Sequence, residues 1–256
     1  MKPLILITND DGIRSPGIRA AAEAACHYGD LLIAAPIRQQ TAMSRAFPVT
    51  EDLGIIEKVP LRIGGKEIIG YGVHGSPAYA VAHGILEIAD RKPDLCVSGI
   101  NYGGNMGLSI TCSGTIGAAW EADSHDVPTL AVSLEADMGI VRYGHYAELN
   151  FDSARKSAVY WIDKILKDGM PRNCNILNVN VPSREIGAEE YRFTRLERRN
   201  YYQFAEPAAR DQGIPFRLDC GMIETPENLR EGGDIYAVVA ERITSVTPLT
   251  WDMSIN

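Results

Sequence analysis

Leu4-Ile5-Leu6-Ile7-Thr8-Asn9-Asp10-Asp11-Gly12 is the stretch from which the fold is read. Leu4 to Ile7 are apolar without alternation, the pattern of a strand covered on both faces, as in a parallel sheet. Asn9 to Gly12 is a turn signal. Ser15-Pro16 then supplies an N-cap and a first-turn proline, and the alanine-rich stretch from Ile18 to His27 predicts a helix that Gly29 ends. A second apolar run, Leu31 to Ala35, is closed by Pro36. One helix between two buried strands makes a parallel βαβ unit.

Further along the chain the pattern continues. Gln39 to Thr50 is polar and irregular, and Thr50 to Ile69 reads as a β-hairpin around Gly64-Gly65. Ser76-Pro77 opens a helix running through Ala89. Leu95 to Ser98 is a strand, followed by a glycine-rich loop from Gly99 to Gly107 and a helix from Ile116 to Asp123. Thr129 to Leu134 and Asn175 to Val181 are strands on either side of a long amphipathic helix, Phe151 to Leu166. From Thr194 the composition shifts to Arg, Pro, Gly and Tyr with weak periodicity, and Ile235 to Ile243 reads as a strand. The predicted fold is α/β: a Rossmann-like three-layer α/β/α sandwich with a mostly parallel sheet over residues 1–185. A β-rich C-terminal extension, residues 186–256, follows it.

The 256 residues suffice for such an arrangement, and 45% hydrophobic content can bury its core without disulfide or zinc staples. A net charge of −8 with no Lys/Arg run argues against binding of nucleic-acid polymers. The short cluster Arg195, Arg198, Arg199 is interrupted by Glu197 and reads as a solvated or interface patch. The five cysteines are widely spaced with no CxxC pair, as expected of reduced thiols in a cytoplasmic protein. No apolar run is long enough for a signal-peptide core or a membrane span.

In open parallel sheets, ligands bind outside the carboxyl ends of the strands. Four segments are expected there: Asn9 to Gly12, Gln39 to Ser44, Ser98 to Asn101, and Ser113-Gly114-Thr115. Adjacent carboxylates such as Asp10 and Asp11 repel each other, and a hard divalent cation relieves that repulsion; the same residues also make a good turn. Ser113-Gly114-Thr115 opens a helix, so it is either an anion site on free N–H groups or a plain N-cap. Asn101 could complete a metal shell or serve only the loop. Gly70-Tyr71-Gly72-Val73-His74-Gly75 matches GxGxxG but does not follow the first strand, and the next strand ends without an acid, so it argues weakly for a dinucleotide. The histidines at 27, 74, 83, 125 and 145 show no ligand spacing; His125 is the best of them for a general acid.

In this order the segments resemble the SurE family, the survival-protein E type of 5′/3′-nucleotidase. Ile5 to Gly12 with Ser15-Pro16-Gly17-Ile18 is similar to the family's opening motif. Ala34-Ala35-Pro36, Gly75-Ser76-Pro77, Val97 to Asn101 with Gly103 and Asn105, Ser113 to Ile116 with Ala118-Ala119, and Val246 to Leu249 with Asp252 resemble its later blocks. The resemblance implies a phosphomonoesterase acting on nucleoside monophosphates with one divalent ion, Mg or Mn. It places the metal at Asp10, Asp11, Thr41 and Asn101, and a homodimer or homotetramer assembled through C-terminal segments. The chain departs from the family at Thr41 (commonly Ser), Ile37 (commonly Asp), Arg45 (commonly Asn) and Cys112 (commonly Tyr).

The expected chemistry is in-line attack of a metal-activated water on phosphorus. Asp10 and Asp11 anchor the metal and one accepts the water's proton. Asn9, Asn105, Ser113, Gly114 and Thr115 bind the phosphate or substrate. Two alternatives share the fold: a nucleotide-binding regulatory module with little turnover, and a phosphatase for short polyphosphate or another small phosphoester.

Overall fold

The structure is a computed structural model and describes residues 2–136, 149–222 and 228–254. Strand β1 (Leu4–Thr8) is buried along its whole length. Helix α1 (Pro16–Ala25) is capped by Ser15, whose hydroxyl accepts the Ile18 N–H, and leads to β2 (Asp30–Pro36). β3 (Ile56–Ile63) and β4 (Lys66–Val73) form an antiparallel hairpin. Helix α2 (Pro77–His83) continues into a π-helical turn, Gly84–Ile88. β5 (Leu95–Tyr102), a 3-10 turn (Leu108–Thr111), α3 (Gly114–Asp123) and β6 (Thr129–Leu134) follow. Then come α4 (Asp152–Asp168), β7 (Ile176–Val181), β8 (Tyr191–Phe193), β9 (Tyr202–Phe204), β10 (Cys220–Met222), α5 (Asp234–Val239) and β11 (Thr244–Leu249).

Among the described residues, nine strands make one sheet in the order β3-β4-β2-β1-β5-β6-β7-β11-β8, and β9 and β10 form a separate antiparallel pair. The run from β4 through β2, β1, β5 and β6 to β7 is parallel. The chain leaves β1 toward β2 on one side and fills β5, β6 and β7 on the other, so the crevice of a doubly wound sheet opens past the ends of β1 and β5. Helices cover both faces. Ile5 and Ile7 pack in the layer with α1 and α4, and Leu4 and Leu6 in the layer with α2 and α3. The three-layer α/β/α architecture and the additional C-terminal strands are thus as the sequence predicts. Beyond residue 185, β8 and β11 join the main sheet itself.

One local reading is corrected. Ile235 to Ile243 is not a strand: Asp234–Val239 is helical, and the strand begins at Thr244. The β-branched residues there suggest extended chain, but Ile235 and Val238 bury against Met106 and Tyr201, and tertiary packing overrides propensity. The GxGxxG stretch lies mostly inside β4, where its glycines serve packing. A Cβ on Gly72 would stand 2.5 Å from Cδ1 of Ile37, so Ile37 fills that space.

Candidate active site

Asp10 and Asp11 follow β1 directly and are almost fully buried, at 5% and 8% exposure. The loop that turns them is held by Asn9. Its side-chain oxygen accepts the Gly12 N–H at 3.2 Å, and its NH₂ donates to Ser15 Oγ at 2.7 Å. Asn9 is itself wholly buried and is not among the lining residues of the cavity described below, and its described side-chain hydrogen bonds are within the loop.

The Asp10 carboxylate sits on the N-terminus of α3. Thr115 Oγ1 donates to its Oδ1 at 2.8 Å, and the N–H groups of Gly114 and Thr115 also point to it. The sequence reading puts a phosphate at these donors; in the structure they are engaged by Asp10. Burial nevertheless outweighs these three donors and the residue's own N–H, and lifts the carboxyl to about 6. Asp11 is raised well above the ordinary range, first by burial and then by the charge of Asp10; the Tyr102 side chain opposes the rise by hydrogen bonding. Asp11 Oδ2 has no hydrogen-bond partner among the described residues.

Both carboxylates open onto a cavity of about 320 Å³, which Thr41, Asn101, Asn105 and Ser113 also line. The structure therefore brings Asp10, Asp11, Thr41, Asn101, Asn105 and Ser113 together at one opening. Gly114 and Thr115 lie beneath it, holding Asp10. The Asn101 NH₂ donates to the Gly103 carbonyl at 2.7 Å, so its amide oxygen is the atom that could serve a cation. Thr41 Oγ1 accepts from Gln39 Nε2 at 2.8 Å, and Gln39 also reaches the Tyr102 hydroxyl at 2.7 Å. Ser113 Oγ caps α3 by accepting the Ile116 N–H at 3.1 Å, so its own proton remains to donate. The loop carrying Thr41 lies across α3 at Gly117, where any Cβ would run into the Ser44 carbonyl. Arg45 fixes it there through Glu121 (2.8 Å) and Ser124 (3.1 Å), and stacks over Trp251.

Several residues of this region are not singled out by sequence reasoning. Asn105 is held by Asn180, which accepts its N–H, by Asn178 and Asn180, which donate to its carbonyl, and by Ser133. Asn178 and Asn180 alternate within a strand that is otherwise apolar, a signal available in the sequence. The far wall comes from Leu108, Tyr202, Phe204, Arg217, Leu218 and Cys220, whose surroundings in sequence are irregular. Cys112 lines the cavity too. His125 pairs with Glu121 at 3.1 Å and is not part of the lining; His145 lies outside the described residues.

The family model of survival protein SurE matches residues 5–203. The chain belongs to the SurE family. Among its SurE relatives, the 5′-nucleotidase SurE of Thermococcus kodakarensis is 38% identical over 98% of this chain and 93% of its own length. The 5′-nucleotidase SurE of Methanothermobacter thermautotrophicus is 42% identical over 83% of this chain and 80% of its own. Among solved structures, the SurE protein from Aquifex aeolicus superposes with a TM-score of 0.75 at 30% identity, covering 98% of this chain and 95% of that one.

Proposed function

We propose that this chain is a divalent-metal-dependent phosphatase that hydrolyses nucleoside 5′-monophosphates, and 3′-monophosphates as secondary substrates, to nucleoside and phosphate. The observation that carries the reading is the pair of adjacent buried carboxylates facing a ligand-sized cavity, with one oxygen of Asp11 left unpartnered. The curated 5′-nucleotidase names of relatives that align along nearly the full chain support it.

The donor set fits a hard cation. Among the described residues no group of three or more His, Cys, Asp or Glu is placed to hold a metal. The cavity instead offers two carboxylates, the Asn101 amide oxygen and the Thr41 hydroxyl, all oxygen donors of the type that Mg²⁺ and Mn²⁺ take. Burial of two acids that no cationic side chain among the described residues bonds raises both carboxyls, and a divalent charge would reverse that. Asp10, Asp11, Asn101 and Thr41 would hold the ion. When bound, it supplies Lewis acidity that acidifies water and neutralises charge on phosphate oxygen.

The remaining work falls to the chain's own groups. Asp10 is fixed by α3 and anchors the site, whereas Asp11 keeps a free oxygen with which to take the proton of the attacking water. The Ser113 hydroxyl and the Asn105 amide face the same space and donate to the phosphate. Arg217 is the cationic side chain of the lining and offsets the dianion. The five free thiols suit a reducing cytoplasmic setting. No described helix is long and apolar enough to cross a membrane. Exposed Phe193, Ile214 and Phe216 support assembly through residues 186–256 into a homodimer or homotetramer.

Phosphate release from AMP, GMP, CMP, 3′-AMP and short polyphosphate, with Mg²⁺, with Mn²⁺ and with EDTA, tests the reading. Metal-stimulated release from the 5′-monophosphates is expected. Absence of release under every condition would leave a binding module, and preference for polyphosphate would move the substrate class.

A further inference from the structure

Asn105 reaches the cavity from a stretch without regular structure, residues 103–106, between β5 and the 3-10 turn. The residue is buried, at 6% exposure, so its peptide groups must find partners within the protein. Both are met by side chains of β7. Asn180 Oδ1 accepts the Asn105 N–H at 2.7 Å, and Asn180 Nδ2 donates to the Asn105 carbonyl at 3.1 Å. A carboxamide carries a carbonyl and N–H groups, as a peptide does, so Asn180 holds residue 105 as a neighbouring strand would. Asn178 Nδ2 donates to the same carbonyl at 2.9 Å, filling its second lone pair. On β6, Ser133 stands in register with Asn180, and its Oγ accepts from the Asn105 side-chain NH₂ at 2.9 Å. Backbone and side chain of Asn105 are therefore fixed by three buried residues on two adjacent strands.

A buried loop needs an anchor whatever it carries, but bonds spread along the loop would meet that need equally well. Here both β7 amides converge on the one residue. Asn178 makes no other side-chain hydrogen bond among the described residues, and its Oδ1 is buried without a partner. The opposite face of β7 carries Leu177, Val179 and Val181 in the core. An apolar residue at 178 would be less costly to bury than a half-satisfied amide. We propose that Asn178 and Asn180, with Ser133, are positioning residues: they set residue 105 so that its side-chain amide is aimed at the substrate phosphate. This rests on the phosphatase reading above, in which Asn105 donates to the phosphate. Neither β7 amide lines the cavity, so both act through Asn105. A donor held in place beforehand needs no reorganisation as charge builds on the phosphate oxygens, and a displacement near 1 Å forfeits much of that gain.

The test is a double-mutant cycle on the full chain with Mg²⁺ and AMP. Asn178→Leu removes the donor and the unpartnered oxygen while keeping the branched shape. It is expected to lower kcat/KM by about tenfold, with the midpoint of urea denaturation close to that of wild type. In the Asn105→Ala background the aimed amide is gone, but the carbonyl that Asn178 holds remains. There the same substitution should change kcat/KM by less than about twofold. Ser133→Ala, which takes the acceptor from the Asn105 NH₂, should follow the same pattern, and it stands in should Asn178→Leu fail to fold. A loss by the same factor in both backgrounds would mean that these side chains serve the fold and not Asn105. No loss in either would mean that Asn105 keeps its aim without them. Both results overturn the proposal. Inorganic phosphate titrated calorimetrically into the Mg²⁺-loaded proteins repeats the cycle without turnover. Binding weakened about threefold or more by Asn178→Leu, and only where Asn105 is present, supports the positioning role even if wild type releases no phosphate from AMP, an outcome that sinks only the nucleotidase reading. Phosphate binding that is unchanged across the cycle, weakened equally in both backgrounds, or absent from every protein overturns it.

Discussion

A Cβ on Gly114 would lie 2.7 Å from both Cβ and Oδ2 of Asp10. That spacing, tighter than real Cβ contacts allow, makes Gly114 the residue that lets the first carboxylate dock on α3. Gly114→Ala must push the carboxylate off the N–H groups of 114 and 115 or tilt the helix. Either shift also moves Asp11, its chain neighbour. A displacement near 1 Å at a reacting centre costs roughly a hundredfold in rate. We expect kcat on AMP to fall by about that factor, with a stability loss of about 1–3 kcal/mol from overpacking, read by chemical denaturation. Near-wild-type kcat would show that the position of Asp10 is not critical.

Asp11 should illustrate a trade between stability and activity. Its carboxylate is buried beside another, with one oxygen unpartnered, so in chelator at neutral pH it opposes folding. Asp11→Asn removes the charge while keeping the shape. In EDTA the variant is expected to be about 1–2 kcal/mol more stable than wild type, with activity lower by about a hundredfold or more. Adding Mn²⁺ should reverse the ranking, because an ion at about a hundred times its Kd stabilises wild type by about 2.7 kcal/mol and the variant by less. Thermal melts with and without Mn²⁺ give the answer. A variant less stable than wild type in EDTA would contradict the account.

These relationships divide according to how local they are. Strand β1, its turn and α1 are consecutive, so buried apolar residues, Asn9 to Gly12 and the Ser-Pro start made that unit readable without a partner. Thr41, Asn101 and Ser113 converge with the carboxylates because a parallel sheet collects its loops at one edge, and topology alone predicts that. Which donors face which acceptors is different information. Asp10 occupies the α3 terminus that the sequence suggested for phosphate, because the contact joins residues more than a hundred positions apart and depends on Gly114 lacking a side chain. Helix α5 reads as a strand because its residues are β-branched, and only burial against Met106 and Tyr201 selects the helix. The far wall from 200 to 220 has no periodicity to read; its place arises from where the β9–β10 pair is tied, Ser109 Oγ accepting the Tyr201 and Tyr202 N–H groups.

Arg45, where the family resemblance leads one to expect Asn, has a structural role of its own. Its guanidinium bridges Glu121 and Ser124 and lies 5.6 Å from the Trp251 ring centre; Trp251 packs at a tilt on Trp120, ring centres 4.2 Å apart. The clamp holds the loop that bears Thr41. Arg45→Ala should cost about 1 kcal/mol of stability, since the pair is partly exposed. The loosened loop should reduce kcat/KM on AMP by about three- to tenfold. Arg45→Lys restores little, because an ammonium cannot bridge and stack together. A double-mutant cycle with Trp251→Ala should show coupling of about 0.5 kcal/mol or more in stability. Strict additivity would detach Trp251 from the clamp.

Asp234, like the two site carboxylates, makes stability depend on pH. It is fully buried and accepts N–H groups from Gly107 (2.7 Å), Glu197 (2.8 Å) and Ile235 (2.9 Å), joining α5 to the site loop. Burial outweighs these donors and raises its carboxyl from 3.8 to about 6. The folded state thus binds the proton more tightly than the unfolded chain. The associated stability is fully present below about pH 4 and is lost as pH rises through 6. A shift of roughly two units corresponds to about 3 kcal/mol. Asp234→Asn cannot titrate. Its stability relative to wild type should therefore improve by about 2–3 kcal/mol between about pH 4 and about pH 7, whatever fixed penalty the amide brings at both ends. Urea denaturation of both proteins across that window measures the difference. A constant gap between them would mean that Asp234 ionises at an ordinary carboxylate pH and that its three donors, not its burial, govern it.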